Sequence, residues 1–148
     1  MVQRVSRAEV RVDSEILCAI QSGLLLLVGI EPGDTSDDVL VAVDKVAGLR
    51  VFADREGKMN RSVVECKGKV MVVSQFTLLG DVRRGRRPSF TGAASPDVAR
   101  PLIEDMVKAF GDVGIETVSG AFGETMEVES INDGPVTLVL SVRNAKLG

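Results

Sequence analysis

The chain contains no histidine, no tryptophan and no tyrosine, and only two cysteines. Without histidine, neither a Ser-His-Asp nor a Cys-His nucleophilic site can be assembled within the chain. Most zinc sites are excluded as well, because the unclustered Cys18 and Cys66 cannot supply a ligand set. Neither cysteine lies in a motif, and both read as ordinary reduced thiols. Any catalysis must then rest on carboxylates, hydroxyls, amide groups or the substrate itself. No metal and no cofactor is expected. Aromatic residues are scarce at 3%, all of them phenylalanine, so few platforms exist for stacking nucleic-acid bases. Long apolar runs are missing too. The longest, Leu24–Val28, is far short of the ~18 residues that a membrane span requires. Arg4 and Arg7 interrupt the start of the chain, where a secretory signal would need an apolar stretch. The expectation is a cytoplasmic protein without a membrane partner.

What is present suits one core. The 148 residues, 45% of them apolar, predict a single domain over 1–148, with 143–148 as a C-terminal tail. A mean hydropathy of +0.18 is slightly high for a soluble monomer and leans toward a buried subunit interface. The net charge of −3 argues against bulk nucleic-acid binding, and no DNA partner is expected. Charge is uneven, however. Arg83, Arg84, Arg86 and Arg87 form a local basic cluster that could hold a few phosphates or could serve as a solvated loop.

Periodicity divides the chain into short strands and two helices. Val10 and Val12, then Ile16, Cys18 and Ile20, alternate around a turn at Asp13-Ser14. Leu24–Ile30 reads as a strand buried on both faces, ended by Pro32-Gly33. Thr35 caps a helix running to about Leu49, with Asp37 and Asp38 in its first turn and Val39, Leu40, Val43, Val46 and Ala47 at helical spacing. Val51-Phe52 and Lys69–Thr77 read as strands, and Gly80–Ala94 as a polar loop. Ser95-Pro96 opens a second helix with a stripe of Val98, Leu102, Met106 and Phe110, ending at Gly114. Pro101 flaws it and predicts a kink, or a start near Ala99. Ile115–Val118, Met126–Ile131 and Val136–Val142 complete roughly seven strands. The fold class expected is α+β: one domain with a strongly bent, barrel-like sheet and two packed helices.

Two segments carry chemistry. Ser74-Gln75-Phe76-Thr77-Leu78 places polar groups where a buried strand ends. Asn132-Asp133-Gly134-Pro135-Val136-Thr137 consists of turn formers between two strands. Together the two resemble the signature motifs of the D-aminoacyl-tRNA deacylase family. Val2–Ala8, Gly57-Lys58-Met59-Asn60, Arg86-Arg87-Pro88-Ser89-Phe90 and Phe122-Gly123 match as well, so the likeness reaches to Val142. Leu79-Gly80 departs slightly from the family pattern.

The resemblance implies a homodimer with its active sites at the interface. It implies hydrolysis of the ester between a D-amino acid and the terminal ribose of tRNA, with glycyl-tRNA as a further substrate. It also implies that Gly134-Pro135 is cis and reaches into the partner subunit's pocket as a backbone filter against L residues. On this reading Gln75, Phe76 and Thr77 are catalytic. Ser74, Gly134, Pro135, Arg84 and Arg86 bind substrate, the arginines holding phosphates near the acceptor end. Amide N–H groups of Phe76 or Thr77, helped by the Gln75 side chain, would face the developing oxyanion. Thr77 lacks an evident base to activate its hydroxyl, so attack by water is preferred. Asp133 is an alternative base. A Cβ on Gly134 is expected to obstruct the pocket. The rivals are a relative that clears L residues from tRNA, a non-catalytic RNA-binding module, and a structural oligomerisation domain.

Overall fold

The computed structural model describes all 148 residues, Met1–Gly148. Ten strands, β1 Val2–Val12, β2 Glu15–Ile20, β3 Gly23–Val28, β4 Phe52–Ala53, β5 Met59–Arg61, β6 Lys69–Ser74, β7 Thr117–Ser119, β8 Glu127–Leu138, β9 Val142–Arg143 and β10 Lys146–Leu147, accompany two helices, α1 Ser36–Gly48 and α2 Pro96–Asp112. The main sheet runs β2-β1-β3-β6-β7, with β8 also paired to β1. β1 pairs antiparallel with β2, β3 and β8, whereas β3-β6 and β6-β7 are parallel. The sheet is therefore mixed. Its parallel centre follows from α1 and α2, each of which returns the chain to the same end of the sheet.

Alternation along β3 and β6 creates two cores. Leu24, Leu26, Val70 and Val72 face the helices and pack with Val39, Val43, Val46, Leu102, Ile103, Met106 and Phe110. Leu25, Met71 and Val73 face the opposite way and meet Val5, Ala8, Val10 and Ile20 inside the curled sheet. The continuous apolar strand is thus buried on both faces, as its sequence predicts. The Cys18 thiol on β2 donates to the Ser119 carbonyl on β7 at 3.4 Å, bridging the two ends of the strand order. This brings the sheet close to a closed barrel, with both helices packed on its outside.

Several local expectations change. The strand expected over Lys69–Thr77 stops at Ser74, because its partner ladder ends at the Val28–Ser74 pair. A 3-10 turn, Phe76–Leu79, follows. The second helix begins at Pro96 rather than near Ala99 and runs through Pro101. Val98 and Leu40, expected on the apolar stripes, are exposed, and Ile103 and Ala109 are buried instead. Gly114, at φ +82°, reverses the chain, and the Ile115 N–H donates back to the Phe110 carbonyl at 3.0 Å.

The tail is folded. β9 and β10 form a hairpin around Asn144-Ala145, both at positive φ. It is held by the Arg143–Glu31 ion pair and by the Ala145 N–H, which donates to Asp38 Oδ1 at 2.8 Å. Asp38 Oδ2 also accepts from the Thr35 N–H and hydroxyl at 2.9 and 2.8 Å. These donors, the Ala145 amide first among them, hold the Asp38 carboxyl below its ordinary range. No helix is long and apolar enough to cross a membrane.

Candidate active site

The end of β6 and the turn after it supply the first half of the site. The Gln75 N–H donates to the Val28 carbonyl at 2.7 Å, which fixes where the strand stops. The chain then tightens: the Leu78 and Gly80 amides donate to the Gln75 and Thr77 carbonyls at 3.2 and 3.1 Å. At the start of such a turn the first amides have no carbonyl behind them. Phe76 and Thr77 hold these positions, and neither amide has an acceptor within the protein. The Gln75 Nε2 group donates to Thr77 Oγ1. Thr77 therefore receives a hydrogen bond from its side-chain neighbour, which is a donor and cannot take its proton.

Ser74, Gln75 and Phe76 line a cleft of about 490 Å³ together with Phe90, Ala93, Pro96, Ala99, Phe122 and Met126. That volume suits a small-molecule group. Phe76 meets Phe90 edge-on, with ring centroids 5.2 Å apart. A separate cavity of about 440 Å³ lies between β3, α1 and the C-terminal residues. It contains none of the predicted site residues, and its acids Glu31, Asp34 and Asp38 are engaged by Arg143, the Glu31 amide and the Ala145 amide respectively.

The second half of the site is the Gly134-Pro135 turn. It does not separate two strands, as its composition suggests, but protrudes from the single strand β8. Asn132 faces Val5 while Thr137 faces Gln3, so five steps of β8 span two of β1. The excess chain is thrown out as Asp133-Gly134-Pro135. Its Gly134-Pro135 bond is cis, as the resemblance implies.

Side chains pin the base of this turn. Asn132 Oδ1 accepts from the Val136 N–H at 2.8 Å, and Asn132 Nδ2 donates to Thr137 Oγ1 at 2.8 Å. Arg4, whose side chain is only 13% exposed, reaches it from β1. The Arg4 Nε group donates to the Asp133 carbonyl at 2.9 Å and lies 3.5 Å from its carboxylate, while Nη1 donates to the Val51 carbonyl. Asp133 is thus occupied as a partner of Arg4.

Gly134 sits at φ +134°, where a side chain is strained. A Cβ there would lie 2.9 Å from Arg4 Nη2 and 3.0 Å from Val136 Cγ2. Within the chain its first collision is with the turn's own supports.

The structure thus joins Ser74, Gln75, Phe76 and Thr77 in one place and sets Gly134 and Pro135 in another. Val128, near the start of β8, lines the cleft, but neither Gly134 nor Pro135 does. Gly134 is six steps along the strand from Val128, up to roughly 20 Å at ~3.3 Å per residue.

Arg84 and Arg86 are exposed on the loop and form no ion pair. Arg83 is different. It makes two side-chain hydrogen bonds to Asp81, at 2.9 and 2.7 Å, beneath a two-way backbone bridge between Asp81 and Ser89. The Arg83 side chain, then its backbone amide, holds the Asp81 carboxyl below its ordinary range.

Sequence reasoning missed Arg4, Asn132, Phe90, Phe122 and Met126 as parts of the site. Arg4, Asn132, Phe90 and Phe122 lay within matched segments, but nothing in the sequence tied Arg4 to its partner 129 residues away.

Comparison with known proteins identifies the family. Residues 1–141 match the profile of the family described as D-Tyr-tRNA(Tyr) deacylase. A D-aminoacyl-tRNA deacylase of Herpetosiphon aurantiacus is 48% identical over 95% of this chain and 92% of its own length. One from Geobacillus sp. (strain WCH70) is 51% identical over the same shares. The solved structure of a protein named c-Myc DNA Unwinding Element Binding Protein superposes with a TM-score of 0.87 at 36% identity, covering 93% of each chain. A probable eukaryotic D-amino acid tRNA deacylase, at 18% identity and a TM-score of 0.70 over 90% of this chain and 93% of its own, shares the fold. The chain belongs to the D-Tyr-tRNA(Tyr) deacylase family.

Proposed function

We propose that this protein hydrolyses the ester of D-aminoacyl-tRNA, and of mischarged glycyl-tRNA, as translational quality control in the cytoplasm. The observation that carries this reading is the pair of unpartnered amides at Phe76 and Thr77, set beside the cleft in a chain of this family. Water attacks the ester carbon, and negative charge gathers on the former carbonyl oxygen. Two fixed amides facing that oxygen stabilise it, and one such donor is worth ~2.7–4 kcal/mol. The bond to the ribose oxygen then breaks, and that oxygen takes a proton. The products are the free amino acid and intact tRNA. Thr77 positions water or substrate through its hydroxyl, since Gln75 donates to it and no base accepts from it.

The working unit is a homodimer whose active sites lie at the interface. Support comes from the cleft of the single chain, which neither Gly134 nor Pro135 lines. Support also comes from β8, a 12-residue strand that pairs only with β1 and exposes Val128, Ile131 and Leu138. The Gly134-Pro135 turn of one subunit then enters the cleft of the other and reads handedness. The Gly134 carbonyl accepts from the substrate's α-ammonium group. A D side chain points away from this wall, an L side chain runs into its backbone, and glycine has nothing to exclude. Arg84 and Arg86 hold acceptor-end phosphates, with no DNA or membrane partner.

The test has two parts. Purified protein should release D-tyrosine from D-tyrosyl-tRNA, and it should sediment as a dimer at micromolar concentration. An intact ester, or only a 15.8 kDa species, would refute the corresponding part.

A further inference from the structure

Arg100 projects from α2, the first turn of which borders the cleft through Pro96 and Ala99. Its guanidinium lies over the ring of Phe122, 4.6 Å from the centroid, and Phe122 is part of the cleft wall. Asp97 and Glu104 stand three residues before and four after it on the same helix, the spacings at which ion pairs form. Neither pairs with it, and the Arg100 side chain takes part in no ion pair or hydrogen bond of the protein. The aromatic contact holds the cation in place without neutralising it. A guanidinium resting on a ring still presents its five N–H donors edge-on.

The cleft itself has the opposite need. Its lining contains no lysine and no arginine, and its one charged residue is the carboxylate Glu124. The end of a tRNA is an anion: the nucleoside carrying the ester is joined to the strand by a phosphate close to its ribose. A terminal nucleotide entering this cleft requires a nearby cation, and Arg100 is the one fixed at the wall. Arg84 and Arg86, on the exposed loop, are placed to meet phosphates farther along the strand.

We propose that Arg100 binds the phosphate next to the ester-bearing nucleoside and so positions the end of the tRNA in the cleft. This rests on the reading of the cleft as the ester site. A planar fork suits a phosphate in two-point contact, which a lysine at the same place would imitate only through charge.

The experiment compares Arg100→Ala and Arg100→Lys with the unaltered protein on two substrates. One is D-tyrosyl-tRNA, and the other is the D-tyrosyl ester of adenosine, which has no phosphate. Loss of one charge-assisted hydrogen-bonded pair should raise KM for the tRNA about tenfold in Arg100→Ala, with kcat changed by less than about twofold. The salt dependence of tRNA binding should weaken by about 0.7 in logarithmic slope, the value for one single-strand phosphate. KM for the adenosine ester should not move, and Arg100→Lys should recover part of the tRNA affinity. An unchanged KM for tRNA overturns the proposal, and so does an equal loss on both substrates, which would mean a general structural role. If the unaltered protein hydrolyses neither ester, the reading of the cleft fails and this inference with it. If it hydrolyses both and Arg100→Ala is neutral, only the inference fails.

Discussion

The two halves of the site are built in opposite ways. At Phe76–Thr77 the backbone keeps its amides unpaired. At Asp133–Pro135 the backbone is secured from below by Arg4 and Asn132. The difference matches the two tasks that the proposed function assigns. Stabilising an oxyanion requires donors with no competing acceptor, since a donor already engaged contributes little. Telling D from L requires a wall that does not yield. Backbone braced by hydrogen bonds is such a wall, whereas a side chain can rotate away.

Substitutions at four places can break or sharpen this contrast. Gly134→Ala should have the largest effect, because its Cβ would collide with Arg4 and Val136 and the residue would be strained at φ +134°. A displacement of about 1 Å can cost ~100-fold, and kcat/KM for D-tyrosyl-tRNA should fall by at least that much. Near-normal turnover would show that the turn is not braced as described.

Arg4→Met should come next. It strips the hydrogen bonds from the Asp133 and Val51 carbonyls while keeping most of the side-chain volume. Denaturant unfolding should show a loss of about 2 kcal/mol, and discrimination against L-tyrosyl-tRNA should weaken. If stability falls while discrimination holds, Arg4 supports the fold and not the filter.

The basic loop makes a milder prediction. Replacing Arg84 and Arg86 with alanine should raise KM for tRNA. The salt dependence of binding should flatten by about 0.9 in logarithmic slope for each duplex phosphate that is no longer neutralised. An unchanged slope would return the loop to a solvated surface. Removing Arg83, which is tied to Asp81, should act mainly on loop order.

Thr77→Ala should cost least, less than about tenfold in kcat, because the backbone amides remain. Complete loss of turnover in a folded, tRNA-binding variant would make the hydroxyl essential.

Much of this design was visible in the residues. Leu24–Val28 and Val70–Val73 are unbroken apolar strands, and burial on both faces leaves that mark on a sequence. Thr35, Pro96 and Gly114 mark helix ends because capping depends on neighbours in the chain. The segments Ser74–Leu78 and Asn132–Thr137 were legible as contiguous motifs. Features made by distant contacts were not. Arg4 acquires its role from a strand at the other end of the chain. Ser74 ends a strand because β3 ends opposite it, which periodicity within β6 does not reveal. The C-terminal hairpin turns at Asn144-Ala145, where alanine is a poor residue for positive φ, and its stability comes from Glu31 and Asp38.

The central claim is that braced backbone, and not a side-chain pocket, selects the substrate. Matched D-tyrosyl-, L-tyrosyl- and glycyl-tRNA, incubated with the same preparation of the intact protein, test it most directly. The account predicts rapid release of D-tyrosine, measurable release of glycine and no release of L-tyrosine above the spontaneous rate. Comparable rates for D- and L-tyrosyl-tRNA would contradict it.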